Sequence, residues 1–378
     1  MNLSTFGKRL CVALSLPVML LTPCHAGAQT YPIGVIFPLS GPNTVYGQTF
    51  SKGAELAAKN INAAHELPNQ IKLLFEDSQA LPQPAIIAMN KLVNIEQAPF
   101  VLSAFSGVTK AVAPIATRRK VVVVNGGAVS PELAGLSPYL FNVIPLANDE
   151  IAALLPYITS KLNLRRIMLT YVNDPFGQSV LNALTQQCLR LGCRVEDISV
   201  SPGATNFQAE VAKIRAMRPD AVYVASYGQQ QNVILKQLRD GGVTAQFLSY
   251  SGINLPDTMK LPAAQGLIFT TEYVGLDSPD PVTQKFVESF RAAYGTATPS
   301  FYSVNYYNAI LLFAQSAKWL VEKKHPVTGE NLLGALHSIR TFNAVGGTIT
   351  FEPNGTVRQA MQILRVVNGR PQVIATVQ

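Results

Sequence analysis

Residues 33–64 read IGVIFPLSGPNTVYGQTFSKGAELAAKNINAA, and their reading decides the fold. Ile33-Gly34-Val35-Ile36-Phe37 is an apolar strand that runs into a turn of Pro, Ser, Gly and Asn. Phe50, Gly53, Ala54, Ala57 and Ile61 then recur at helical spacing and define one buried face. A strand, a small-residue loop and a helix N-terminus form a place to hold a small ligand at the carboxyl end of a sheet.

Working outward, strands and helices alternate. The pattern predicts strands near 33–38, 71–75, 99–103, 121–125, 167–172, 194–199, 221–225, 246–250 and 267–271. It predicts helices near 47–64, 83–96, 109–118, 148–162, 177–191, 206–217, 229–240, 280–294, 300–323 and 329–338. Antiparallel strands are expected at 347–352, 359–367 and 371–377. The β-branched run Val121–Val124 marks a strand buried on both faces. Asn148, Asp149 and Glu150 are expected to start a helix by capping and by favourable charge at its dipole. Strict alternation predicts an α/β fold with doubly wound parallel sheets. At 378 residues, two lobes are expected rather than one core.

The first 28 residues read as an export signal. Lys8 and Arg9 precede an apolar stretch at 10–21, and Ala26-Gly27-Ala28 is a small-residue cleavage site. Cleavage leaves Gln29 first and takes the formal charge from +8 to +6 by removing Lys8 and Arg9. A rival reading makes Cys24 a lipidated cysteine, although Pro23 stands where a small residue is expected. The apolar stretch is shorter than the ~20 residues of a bilayer span. The remaining Lys and Arg are scattered, and the runs 117–120 and 323–325 read as solvated helix ends rather than nucleic-acid contacts. Cys188 and Cys193 are the cysteines left after cleavage. In an oxidising compartment their spacing allows one local disulfide, and no third ligand lies near enough to suggest a metal.

Enzyme signatures are absent from the sequence: it contains no GxSxG, GxGxxG, P-loop or HExxH pattern. His65, His325 and His337 fall in polar helical surroundings and are expected at the surface. Strand alternation puts Glu76 and Asp77 on opposite faces, against acid/base work by the pair. No catalytic, metal or cofactor site is expected.

Pro38-Leu39-Ser40-Gly41, Tyr46-Gly47, Ser130-Pro131-Glu132-Leu133 and Asn173-Asp174-Pro175-Phe176-Gly177 together carry a resemblance that covers nearly the whole chain after residue 28. The sequence resembles the leucine/isoleucine/valine-binding family of periplasmic solute receptors of ABC transporters. The resemblance implies two lobes joined by three crossover strands near 141–145, 270–273 and 350–352. Lobe one is then 29–147 plus 273–350, and lobe two is 148–272 plus 351–378.

The resemblance also implies an interlobe cleft, a membrane permease as partner and the periplasm as location. On the first lobe it assigns to the cleft Tyr46, the donors Ser106 and Gly107, the loop residues Gly127, Ala128 and Val129, and the aromatic Tyr302. On the second it assigns Phe176, Tyr227 and Ser251. Ser106 also stands where hydroxyls and free amides at a helix N-terminus suit an anion. Three residues depart from the family pattern. Gly107 replaces a second serine. Val129 stands where amino-acid receptors offer a hydroxyl, though the backbone of Gly127 and Ala128 remains available. Ser251 stands where they carry the acid that meets an α-ammonium. The departures at Val129 and Ser251 favour a partly apolar aromatic or branched organic acid over an amino acid. Glu272 and Asp174 lie near the cleft and keep the branched-chain amino-acid reading open. A periplasmic sensor for a signalling partner is the other alternative.

Overall fold

The computed structural model describes residues 1, 29–295 and 298–377. The expected export signal and Cys24 lie outside the described residues.

The first sheet has order β2-β1-β3-β4-β5 and is parallel throughout, with β1 (Thr30–Phe37), β2 (Gln70–Asp77), β3 (Phe100–Ser103), β4 (Val122–Asn125) and β5 (Leu140–Asn142). Between its strands lie α1 (Thr44–Ala63), α2 (Pro82–Asn94) and α3 (Ser106–Arg119). Phe50, Gly53, Ala54, Ala57 and Ile61 are all buried along α1, as their spacing predicts. Every residue of β4 is buried, the consequence of helices on both sheet faces.

The second sheet has seven strands in the order β14-β13-β10-β9-β8-β6-β7. The chain enters it through α4 (Ala147–Ser160), β6 (Arg166–Val172), α5 (Pro175–Leu191) and β7 (Arg194–Val200). It continues through α6 (Gln208–Met217), β8 (Ala221–Ala225), α7 (Gly228–Asp240), β9 (Gln246–Ser249), the single turn α8 (Pro256–Met259) and β10 (Ile268–Glu272). It then returns to the first lobe with α9 (Pro281–Tyr294), α10 (Phe301–Glu322), α11 (Gly329–Ile339) and the hairpin β11 (Thr341–Ala344)–β12 (Gly347–Thr350). Finally β13 (Met361–Val367) and β14 (Arg370–Val377) add antiparallel strands beside β10. The fold is thus α/β with two lobes, each built on a mainly parallel sheet, and the chain passes between the sheets three times. Before the last passage, residue 355 still lies on β5, where its carbonyl accepts from the Asn142 amide at 2.7 Å.

Helix α10 is the long element that α1 packs against. A Cβ on Gly53 would lie 2.0 Å from the Ser303 carbonyl oxygen, so that crossing requires glycine. Cys188 at the end of α5 and Cys193 before β7 are joined, with Cα atoms 4.8 Å apart. Among the described residues no helix is long and apolar enough to cross a membrane. His65, His325 and His337 are exposed.

Two local expectations are corrected. Asn148 does not cap α4. The helix begins one residue earlier, and the Asp149 carboxylate accepts from the Leu146 amide (3.3 Å) while Asn148 donates to Asp149 (3.0 Å). Strand β11 was not anticipated. Its buried and exposed residues alternate over only four positions, too few for a periodic signal, and Val345-Gly346 forms the tight return.

Candidate functional site

The loop after β1 is held by one carboxylate. Asp77 accepts from the amides of Leu39 (2.8 Å), Ser40 (3.3 Å) and Gln79 (2.8 Å) and from the Ser40 hydroxyl. Partial burial opposes its ionisation, but these donors outweigh that and hold Asp77 below the usual carboxylate range. Glu76, on the other face, pairs with Lys91 at 2.5 Å. The fixed loop delivers Tyr46 in the first turn of α1, 2 % exposed.

A cavity of about 120 Å³ lies where the carboxyl ends of both sheets meet. The first lobe lines it with Tyr46, Phe50, residues 80–82, Phe105, Ser106, Gly107, Gly127, Ala128, Val129 and Tyr302. The second contributes Asp174, Pro175, Phe176, Pro202, Tyr227 and Tyr250. Such a volume suits one small solute and not a peptide or a sugar chain.

The walls are aromatic and interlocked. Phe105 of the first lobe meets Tyr227 of the second edge-on, with ring centroids 5.4 Å apart, and meets Tyr46 at 5.6 Å. Tyr302 lies against Tyr46 (5.9 Å) and Phe50 (5.0 Å), and Phe176 against Tyr250 (4.7 Å). Edge-on contacts such as those of Phe105 and Tyr302, and the tilted pair Phe176–Tyr250, add to the apolar burial of each ring. Tyr46 also bonds directly across the gap. Its hydroxyl donates to the Gly252 carbonyl (2.9 Å) and accepts from the Gly228 amide (3.2 Å).

The polar end of the cavity is the start of α3. Phe105 precedes it at φ +67°, a strained position for a bulky residue. The first amides of a helix have no intrahelical acceptor. The Ser106 hydroxyl accepts from the Ser130 amide at 3.2 Å, which uses a lone pair and leaves its proton to donate. The loop at 127–129 differs from expectation. The Asn125 side chain already accepts from the amides of Gly127 (3.1 Å) and Ala128 (2.7 Å) and donates to the Ala128 carbonyl (2.8 Å). Those backbone groups are therefore occupied, and this part of the wall is apolar.

In the second lobe, Asp174 caps α5 by accepting from Gly177 (2.9 Å) and takes the Tyr227 hydroxyl at 2.6 Å. Burial raises the Asp174 carboxyl above its ordinary range, and the Tyr227 and backbone bonds moderate the rise.

Ser251 does not line the cavity. Its amide and hydroxyl both bond Glu150, at 2.7 Å each, and Thr270 adds a third donor at 2.8 Å. The side chain is drawn behind the wall by a carboxylate from the start of α4. Glu272 also lies behind the wall, accepting from Asn305 at 2.7 Å. The other nine residues expected in the cleft do border the cavity. Phe105 and Tyr250 were not anticipated, although each adjoins a residue that was. Both rings sit on short loops, where no periodicity marks which side chain faces a cavity. Among the described residues no cluster of His, Cys, Asp and Glu is arranged to hold a metal.

The profile described as periplasmic binding protein matches residues 30–371. An amino acid binding protein of Pseudomonas aeruginosa is 28% identical over 339 residues, spanning 84% of this chain and 88% of the relative. A leucine-binding protein of Thermotoga maritima superposes with a TM-score of 0.85 at 23% identity, covering 92% of this chain and 99% of that one. A solute-binding protein of an ABC transporter from R. palustris, solved with benzoate, superposes with a TM-score of 0.80 at 19% identity, covering 92% and 96%.

Proposed function

Since the chain belongs to the periplasmic binding protein family, a family of solute-binding receptors and not of enzymes, we propose that it captures a small, partly apolar carboxylate. The preferred solute is an aromatic or branched organic acid. The chain is exported through cleavage after residue 28, and an ABC permease receives the solute. The carboxylate is held by the Ser106 hydroxyl and the free amides at the start of α3. The rings of Tyr46, Phe105, Phe176, Tyr227 and Tyr302 enclose its body. One observation carries the choice of solute class: the position at which the family's amino-acid receptors present an acid is Ser251, and here it is withdrawn behind the wall onto Glu150. An ammonium buried at that end without a counter-charge costs several kcal/mol.

A second reading, an apolar amino acid, is favoured by the Asp174 carboxylate on the cavity wall. Against it, that carboxylate already holds Tyr227 and the cap of α5.

Capture follows from the lobes meeting around the solute. The solute favours the closed arrangement only to the extent that it touches both lobes, and here the rings of both lobes border one space. A thermal-shift screen separates the readings. Benzoate at 100 times its dissociation constant stabilises by about 2.7 kcal/mol, a rise of a few degrees. Stabilisation by leucine or phenylalanine, with none by benzoate or branched keto acids, overturns the preference.

A further inference from the structure

Two buried carboxyl groups stand behind the cavity wall and do not line it. Glu150, in the first turn of α4, is 1 % exposed, and Glu272, at the end of β10, is 3 % exposed. Every hydrogen-bond partner of Glu150 is neutral: the Ser251 amide, the Ser251 hydroxyl and the Thr270 hydroxyl. Glu272 has Asn305 at one oxygen and no partner at the other. Among the described residues no ion pair reaches either group. An unpaired buried carboxylate is held at a cost, and a second negative charge nearby increases it.

The groups that face Glu150 are few. On α4 itself, Asp149 adds negative charge and has Arg358 near it. From β8 comes Tyr223, whose buried hydroxyl has no partner. The turn after β9 brings Tyr250, β10 brings Glu272, and α10 brings Tyr302. On β13, Arg365 pairs in register with Ile268, two residues from Thr270, and makes no ion pair to Glu150. Helix α5 carries Asp174 at its cap and Arg190 in its last turn.

Burial pushes Glu150 up to about 7, against the pull of the Ser251 and Thr270 bonds, and Asp149 adds to the rise. Burial holds Glu272 well above the usual carboxylate range, against the Asn305 bond, and Glu150 adds to it. Near neutrality Glu150 is divided between its two forms. Tyr250 and Tyr302 are both wall residues of the cavity and both feel the charge of Glu150. A negative group placed inside that wall therefore disfavours ionised Glu150.

We propose that capture of an anionic solute in this cleft takes up a proton from bulk solvent onto the Glu150 carboxylate, so that solute and proton are linked ligands across the Tyr250–Tyr302 wall. The proposal rests on the reading of the solute as a carboxylate. No covalent bond forms other than the O–H of the neutral carboxyl.

Calorimetry of benzoate binding to the mature protein, in buffers of different ionisation enthalpy at pH 7, counts the protons. The expected result at pH 7 is uptake approaching half a proton per benzoate, since about half of the free protein already holds it, with affinity falling about fivefold or more from pH 6 to pH 8.5. Glu150→Gln keeps the hydrogen bonds, since its amide oxygen accepts from Ser251 and Thr270 and its NH₂ donates to the Ser251 hydroxyl. This variant is expected to bind benzoate without uptake and with a flat pH profile. Glu272→Gln is expected to keep the uptake. Benzoate binding with no proton exchanged, or exchange that survives Glu150→Gln, overturns the proposal. Leucine is the second probe. Binding of leucine but not benzoate defeats the organic-acid reading, since leucine adds an ammonium and has no net charge; that ammonium then makes exchange vanish or reverse to release, and uptake of the size expected for benzoate overturns the coupling itself.

Discussion

The hydroxyl of Tyr46, on the first helix of one lobe, donates at 2.9 Å to the carbonyl of Gly252 in the other. The same oxygen accepts from the Gly228 amide at 3.2 Å. One buried side chain therefore satisfies two backbone groups across the cleft. Burial raises the phenol well above its ordinary range, with Gly228 and Gln231 moderating the rise, so it stays neutral and able to donate.

Tyr46→Phe removes both bonds, leaving the Gly228 amide without this acceptor and the Gly252 carbonyl with only the long Gln231 contact at 3.5 Å when the lobes meet. Each such group costs about 1–3 kcal/mol. Solute affinity is expected to fall roughly 10- to 100-fold, while the melting temperature of the solute-free protein changes little. Calorimetry and melting read the two quantities. A loss of solute-free stability with unchanged affinity shows that the bond serves the fold alone.

Gly228 stands at φ +60°, and a Cβ there would lie 2.4 Å from the Asn43 side-chain oxygen of the opposite lobe. Gly228→Ala combines a backbone strain of about 1–2 kcal/mol with a steric block between the lobes. X-ray scattering at saturating solute is expected to show a larger radius than the wild type. Adding Asn43→Ala is expected to restore compaction but not the lost stability. Normal compaction in Gly228→Ala alone rules out the block.

Glu150 binds its proton more tightly in the folded chain than in the unfolded one, where a glutamate titrates in its ordinary range. The folded state thus holds more protons between that range and about pH 7, and stability falls as pH rises through this window, by roughly 1–3 kcal/mol. Ser251→Asp places a second acid against Glu150 and removes a donor. It is expected to destabilise by about 3–5 kcal/mol at pH 8 and by clearly less at pH 5. Urea unfolding followed by Trp319, the single tryptophan, measures both. A penalty equal at the two pH values argues against the buried-charge account.

Much of this was legible before any coordinates. The alternation of apolar strands with helices of 3.6 period located both sheets, because each period reports a face that the same segment buries. The cleft residues were assigned through the resemblance to the solute-receptor family, and their place after strands agrees with it, since strand ends of a parallel sheet gather at one edge. Short elements escaped: β11 has four residues, too few to establish a period.

What the sequence by itself determined is the alternation of strands and helices and, through its resemblance to a known family, the set of segments from Tyr46 to Tyr302 expected at the cleft. What only the tertiary structure decided is which polar groups in those segments remain free. Ser251 is turned away by Glu150, 101 residues earlier in the chain. The amides of Gly127 and Ala128 are taken by Asn125. Tyr46 is matched to Gly252, 206 residues away. Burial patterns are local properties of a segment, whereas a hydrogen-bonding group is claimed by whichever partner the packed chain brings within about 3 Å, and that choice is made between segments distant in sequence.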